Sequence, residues 1–185
     1  MTHVDQADLD LMQKSGASVV HCPESNMKLA SKISPVQSML DQGINVAIGT
    51  DGAASNNDLD LFGEMRSAAF LSKVSTDNPE SLNAQTVLEM ATLNGAKALH
   101  WEDEIGSIAL GKAADVIAVD LNNVEAVPCY NPTAQLVYAM PRSNVTHSWV
   151  NGRILMQDRE LTTIDVPALL KRTQVWQEKL KIHAK

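Results

Sequence analysis

The sequence predicts an α/β protein, and three observations carry that prediction. Helical and strand patterns alternate over residues 1–104. Both strand candidates there, 18–22 and 44–50, are apolar runs of the kind found in parallel strands covered on both faces. The second run ends in Gly49-Thr50-Asp51-Gly52, a carboxylate at the strand end where α/β proteins gather ligands and chemistry.

The elements follow in order. Ala7 to Met12 reads as a short helix with Asp5 as N-cap and Gly16 at its end. Ser18 to Cys22 is a strand stopped by Pro23. Pro35 opens a second helix, with Val36, Met39 and Leu40 at helical spacing, and Gly43 closes it. The strand 44–50 follows, then a helix from Leu59 to Lys73 carrying Phe62, Met65, Ala69 and Phe70. Asn83 to His100 continues as helices.

Near residues 102–110 the character changes. Gly106-Ser107-Ile108 and Gly111-Lys112 are turn-like, and 114–120 is a strand. Val145–Val150 and Arg153–Met156 flank Asn151-Gly152, the dipeptide of a tight type I′ hairpin. A last helix, 166–182, sets Val166, Leu169, Trp176 and Leu180 on one face. Two parallel strands do not make a stable sheet by themselves. The fold is therefore either small and unusual or a piece of something larger.

Composition bounds the function. At 185 residues, 44% hydrophobic and 20% charged, the chain has an ordinary globular balance. A net charge of −7 speaks against a nucleic-acid partner, which wants a basic face. The basic residues near the end (Lys171, Arg172, Lys179, Lys181, Lys185) fit the solvated side of the last helix. No apolar run approaches the roughly 20 residues of a membrane span, and no signal pattern opens the chain. Cys22 and Cys129 suit two thiols in a reducing compartment better than one disulfide. The expected location is the cytoplasm.

Asp51 is the best candidate for chemistry: a metal ligand, a general base, or both. The alternative is a loop-capping aspartate that accepts the N–H groups of Ala53 and Ala54. A phosphate cradle is excluded, because the pattern is not G-x-G-x-x-G and Asp51 would repel the phosphate. His21 ends the other strand and would share Asp51's rim if the strands are parallel. It is either a ligand or a hydrogen-bonded structural residue. Ser25-Asn26 could bind a polar substrate or form an Asx turn. His3, His100, His147 and His183 have no ligand spacing, so the sequence offers no convincing zinc triad. Glu64 and Arg66 read as a pair on the helix surface or barrel wall.

His21-Cys22-Pro23-Glu24-Ser25-Asn26-Met27-Lys28-Leu29-Ala30-Ser31 and the stretch Gly49 to Asp60 together resemble the metal-dependent amidohydrolase superfamily. The likeness is greatest to its 5-methylthioadenosine/S-adenosylhomocysteine deaminases, in the chlorohydrolase-like group. It covers the whole chain but only the C-terminal portion of a family member. The resemblance implies the last strands and helices of a (β/α)8 barrel in 1–104. It also implies the C-terminal part of a small β-sandwich domain in 105–160 and a C-terminal helix in 161–185. It implies that Asp51 binds a divalent metal, zinc or else iron, and shuttles protons from the attacking water to the leaving amine. Ser55 and Asn56 would face the purine nucleoside, and His21 and Asn26 would line the rim.

The family's other metal ligands would lie ahead of Met1. By the same resemblance this chain alone should not fully bind the metal, and would need the N-terminal barrel portion or a homo-oligomer. Lys32 replaces the family's usual glycine. The alternatives are a related hydrolase of guanine or triazine rings, and an inactive fragment serving as an interaction module.

Overall fold

The computed structural model describes residues 1–183. The chain divides into two compact units, Met1–Ala113 with Asp120–Asn144, and Ala114–Val119 with Val145 onward. Asp120–Asn144, within the segment expected to be β-rich, thus clusters with the first unit.

The first unit begins with α1 (Gln6–Ser15), where Asp5 and Asp8 form a reciprocal capping box and Gly16 closes the helix in the left-handed region. β1 (Val19–His21) leads directly into α2 (Pro23–Lys28), with Pro23 in its first turn. α3 (Val36–Asp41) then returns the chain to β2 (Val46–Ile48). The two strands pair in parallel, Val19 with Val46, Val20 with Ala47 and His21 with Ile48. α4 (Leu61–Thr76), α5 (Ala84–Met90), α6 (Leu93–Ala98) and α7 (Pro132–Tyr138) complete the unit.

The core lies where these helices cover the sheet. Met39, Val46, Ala69, Val87, Met90, Val137 and Met140 are all fully buried, each at 0% exposure. The last two explain why Asp120–Asn144 joins this unit: α7 seals α4 and α5. Tyr138 stacks on Phe70 with ring centres 5.7 Å apart, and Arg66 donates to the Met140 carbonyl at 3.0 Å.

Two expectations need correction. Only β2 is covered on both faces; β1 alternates, with Val20 57% exposed between buried Val19 and His21. Pro23, read only as the stop of a strand, also opens helix α2, and Ser25-Asn26 lie within that helix, because a proline in the first helical turn helps start a helix as readily as it ends a strand. α7 has a comparable start, with Asn131 capping the Ala134 N–H and Pro132 following.

The second unit is a four-stranded antiparallel sheet in the order β3 (Val116–Val119), β4 (Val145–Val150), β5 (Arg153–Gln157), β6 (Glu160–Leu161). Asn151 and Gly152 both adopt positive φ, 48° and 73°, as a type I′ hairpin requires. α8 (Val166–His183) follows, with Val166, Leu169, Trp176 and Leu180 all between 38% and 62% exposed. Lys171, Arg172, Lys179 and Lys181 are exposed as expected, and Lys185 lies outside the described residues. No helix among the described residues is long and apolar enough to cross a membrane.

Candidate active site

β2 hands the chain to the loop bearing Asp51. Asp51 itself takes the left-handed conformation, at φ 62°, a region that aspartate tolerates better than most residues. Gly49 is needed for proximity instead: a Cβ there would lie 2.7 Å from Cγ1 of Val20 on the neighbouring strand. The sharp turn and the close strand approach are thus made by different residues.

The Asp51 carboxylate is exposed but well held. Its Oδ1 accepts the Gly52 N–H at 2.7 Å. Its Oδ2 accepts two hydroxyls, from Ser25 at 2.9 Å and Ser55 at 3.0 Å. The Gly52 N–H, then the Ser25 and Ser55 hydroxyls, keep its pKa below the ordinary aspartate value. The N–H groups of Ala53 and Ala54 are not its partners. This is an ionised oxygen donor at a strand end, suited to a cation or a proton in transit.

The other expected residues do not all gather around it. Ser55 does. Asn56 is buried at 3% exposure, its amide donating to Glu64 and its carbonyl accepting the Leu59 N–H at 3.0 Å. It shapes the loop from inside, contrary to the substrate-facing position expected. His21 is buried at 5% and lines a small cavity with Pro23, Asn26, Met27 and Leu71 of α4, so it points to the helix-covered side of the sheet. Burial first, and the positive N-terminus second, pull its pKa down to about 4 and keep it neutral. Asn26 lines the same cavity. The expected rim pair is therefore brought together, but behind the sheet.

Three residues of the site have roles that the sequence did not reveal. Ser25, read as substrate-facing or turn-forming, is buried and bonds Asp51. Lys28 donates to the Ala54 carbonyl at 2.9 Å and the Asn57 side chain at 2.5 Å, bracing the loop. Glu64 is fully buried, at 0% exposure. Its Oε2 accepts the Glu24 N–H at 3.0 Å, and its Oε1 accepts the Asn56 amide. Glu64 and Arg66 do not pair. The one available signal was Pro23, which starts the helix that delivers Ser25 and Lys28.

Cys22 sits beside the loop, and burial, then the charges of Glu64 and Asp51, push its thiol pKa up. A reactive thiolate is disfavoured there. Both cysteines are free. Among the described residues no group of three or more His, Cys, Asp or Glu side chains is placed to hold a metal. A catalytic zinc ordinarily takes three protein ligands. Asp51 is a candidate ligand, and the donor set within the described residues does not fit a complete metal site.

The amidohydrolase family model matches residues 1–155, and the chain belongs to that family. A 5-methylthioadenosine/S-adenosylhomocysteine deaminase of Syntrophobacter fumaroxidans is 50% identical over 171 residues, which are 92% of this chain and 39% of that protein. Among solved structures, an adenosine deaminase from Xanthomonas campestris with bound zinc superimposes with a TM-score of 0.96 at 44% identity. That match covers 98% of this chain and 42% of the other. An atrazine chlorohydrolase from Arthrobacter aurescens complexed with zinc gives a TM-score of 0.87 at 25% identity, over 94% of this chain and 38% of its own. The architecture is accordingly the last strands and helices of the amidohydrolase barrel with part of the small β domain. The chain spans about two fifths of the length of the relatives it matches.

Proposed function

We propose that this chain contributes the last part of the active site of a purine-nucleoside deaminase, in which water replaces the exocyclic amine. The carrying observation is Asp51: an exposed strand-end carboxylate kept ionised by three hydrogen bonds. A ligand must be deprotonated to bind a cation, so a lowered pKa suits Asp51 to hold one edge of a divalent metal, zinc by analogy with the Xanthomonas relative. The same carboxylate would take a proton from the attacking water and return it to the departing amine. Ser25 and Ser55 orient Oδ2 for that exchange.

The substrate class is carried by the two relatives at 50% and 44% identity, whose names specify nucleoside deamination. A triazine-type ring hydrolase is the second reading, supported by the fold match at 25% identity. The remaining ligands would come from barrel strands outside the span of this chain. The open edges of its two-stranded parallel sheet offer the place for them.

A chimaera tests the proposal. This chain replaces the matching C-terminal segment of the Syntrophobacter relative, and deamination of 5-methylthioadenosine, adenosine and atrazine is followed with zinc content. Nucleoside deamination should appear and fall at least ~10³-fold in Asp51→Asn, the scale expected when an electrostatic or proton-transfer group is lost. Undiminished turnover in Asp51→Asn would end the proposal, and turnover of atrazine alone would move it to the second reading.

A further inference from the structure

Glu64 is a buried carboxylate with no cationic partner among the described residues: its two oxygens receive only a backbone N–H and a side-chain amide. Such a group is costly to bury, and an apolar residue of similar size would ordinarily serve a core better. Its two bonds share one property. Glu24 is the residue before Ser25, and Asn56 is the residue after Ser55. Those serines are the two whose hydroxyls meet on Asp51 Oδ2, at 2.9 Å and 3.0 Å.

Helix α2 after β1 and the loop after β2 are thus tied together twice, once through Asp51 at the surface and once through Glu64 beneath it. The Glu24 side chain turns away from Glu64 to accept the Ser67 hydroxyl at 2.9 Å. It lies close over α4, where a Cβ at Gly63 would stand 3.0 Å from its Oε1. That contact docks α2 on the same helix that presents Glu64. The arrangement leaves Glu64 as the joint between the two serine-bearing segments.

We propose that Glu64 is a positioning residue of the Asp51 site, holding both serine hydroxyls on Asp51 Oδ2 through the residues next to them. It touches neither substrate nor Asp51 and acts only through Glu24 and Asn56. Hydroxyl–carboxylate bonds near 3 Å weaken steeply with added distance, so loss of the joint releases the serines. The inference rests on Asp51 being the working carboxylate for its consequence in catalysis, but not for its test.

The test reads the χ1 rotamers of Ser25 and Ser55 from three-bond Hα–Hβ couplings in the 185-residue chain. In the wild type each serine should hold one staggered rotamer. Glu64→Leu removes both acceptors and should average both serines. Glu64→Gln keeps one carbonyl and should average one of them. Met39→Ala, a core variant in α3, should leave both couplings at wild-type values.

Unchanged couplings in a folded Glu64 variant would overturn the inference, and so would equal averaging in Met39→Ala. Should Glu64→Leu not fold, Glu64→Gln carries the same two outcomes. In the chimaera, Glu64→Gln should lower kcat about 10- to 100-fold with KM nearly held, as expected for lost orientation. Averaged serines beside an Asp51→Asn chimaera that still deaminates would defeat the proposed function and leave this inference standing.

Discussion

Replacing Glu64 with glutamine should change the slope of stability against pH, and the size of the change follows from burial. Burial, the largest cause, pushes the Glu64 pKa up from 4.5 to about 7. Between those values the folded chain binds a proton that the unfolded chain has released. The stabilisation is therefore full below pH 4.5 and is lost as pH rises through 7. Integrated from pH 5 to pH 8, the loss is about 2.5 kcal/mol.

His21 works in the opposite sense. Its pKa is pulled from 6.5 down to about 4, so the unfolded chain takes up the proton first as pH falls. Its contribution is present above 6.5 and is lost towards 4, which between pH 8 and pH 5 costs about 2 kcal/mol. The two act in opposite directions on the wild type between pH 5 and pH 8. Glu64→Gln removes one arm of the balance, so its stability should rise with pH by about 2 kcal/mol over that range. Urea unfolding at several pH values measures this directly. Parallel curves for wild type and Glu64→Gln would refute the reasoning, since the double difference is insensitive to the hydrogen bond that the amide also alters.

Met39 is fully buried under the sheet, and Met39→Ala should cost 2–5 kcal/mol, seen as a lower urea midpoint at unchanged m-value. Gly106 has φ 84°, and a Cβ there would meet the Ala96 Cβ at 2.6 Å and the Leu93 Cα at 3.1 Å. Gly106→Ala should therefore destabilise the first unit by about 1–3 kcal/mol, through backbone that cannot step aside. A neutral result in the same unfolding assay would remove that contact from the account.

Much of the fold was legible because local signals agreed with it. Asp5 and Gly16 bracket α1, Asn151-Gly152 forms the expected hairpin, and the two apolar runs pair in parallel. The misreadings share a cause: a strand or helix has two sides, and residue order does not say which side other elements will cover. The run 18–22 read as covered on both faces, but Val20 and His21 point to opposite faces and α4 covers only the face of His21. Glu64 read with Arg66 as a pair on the helix surface or barrel wall, whereas it is fully buried, which is rare for an unpaired glutamate. Its partners, 40 and 8 residues away along the chain, are not visible as a local pattern.

The sequence alone placed a carboxylate at the end of an apolar strand, through the run before Gly-Thr-Asp-Gly. It also carried the family, through the segments around His21 and Asp51 that the family model spans. Only the tertiary structure decided what surrounds Asp51. Ser25 reaches it across 26 positions, Glu64 joins α2 to the Asp51 loop beneath it, and His21 and Asn56 are drawn inside. The physical reason is that hydrogen bonds and burial depend on distance in space. For a loop site those distances are set by how helices dock on the sheet, and not by spacing along the chain.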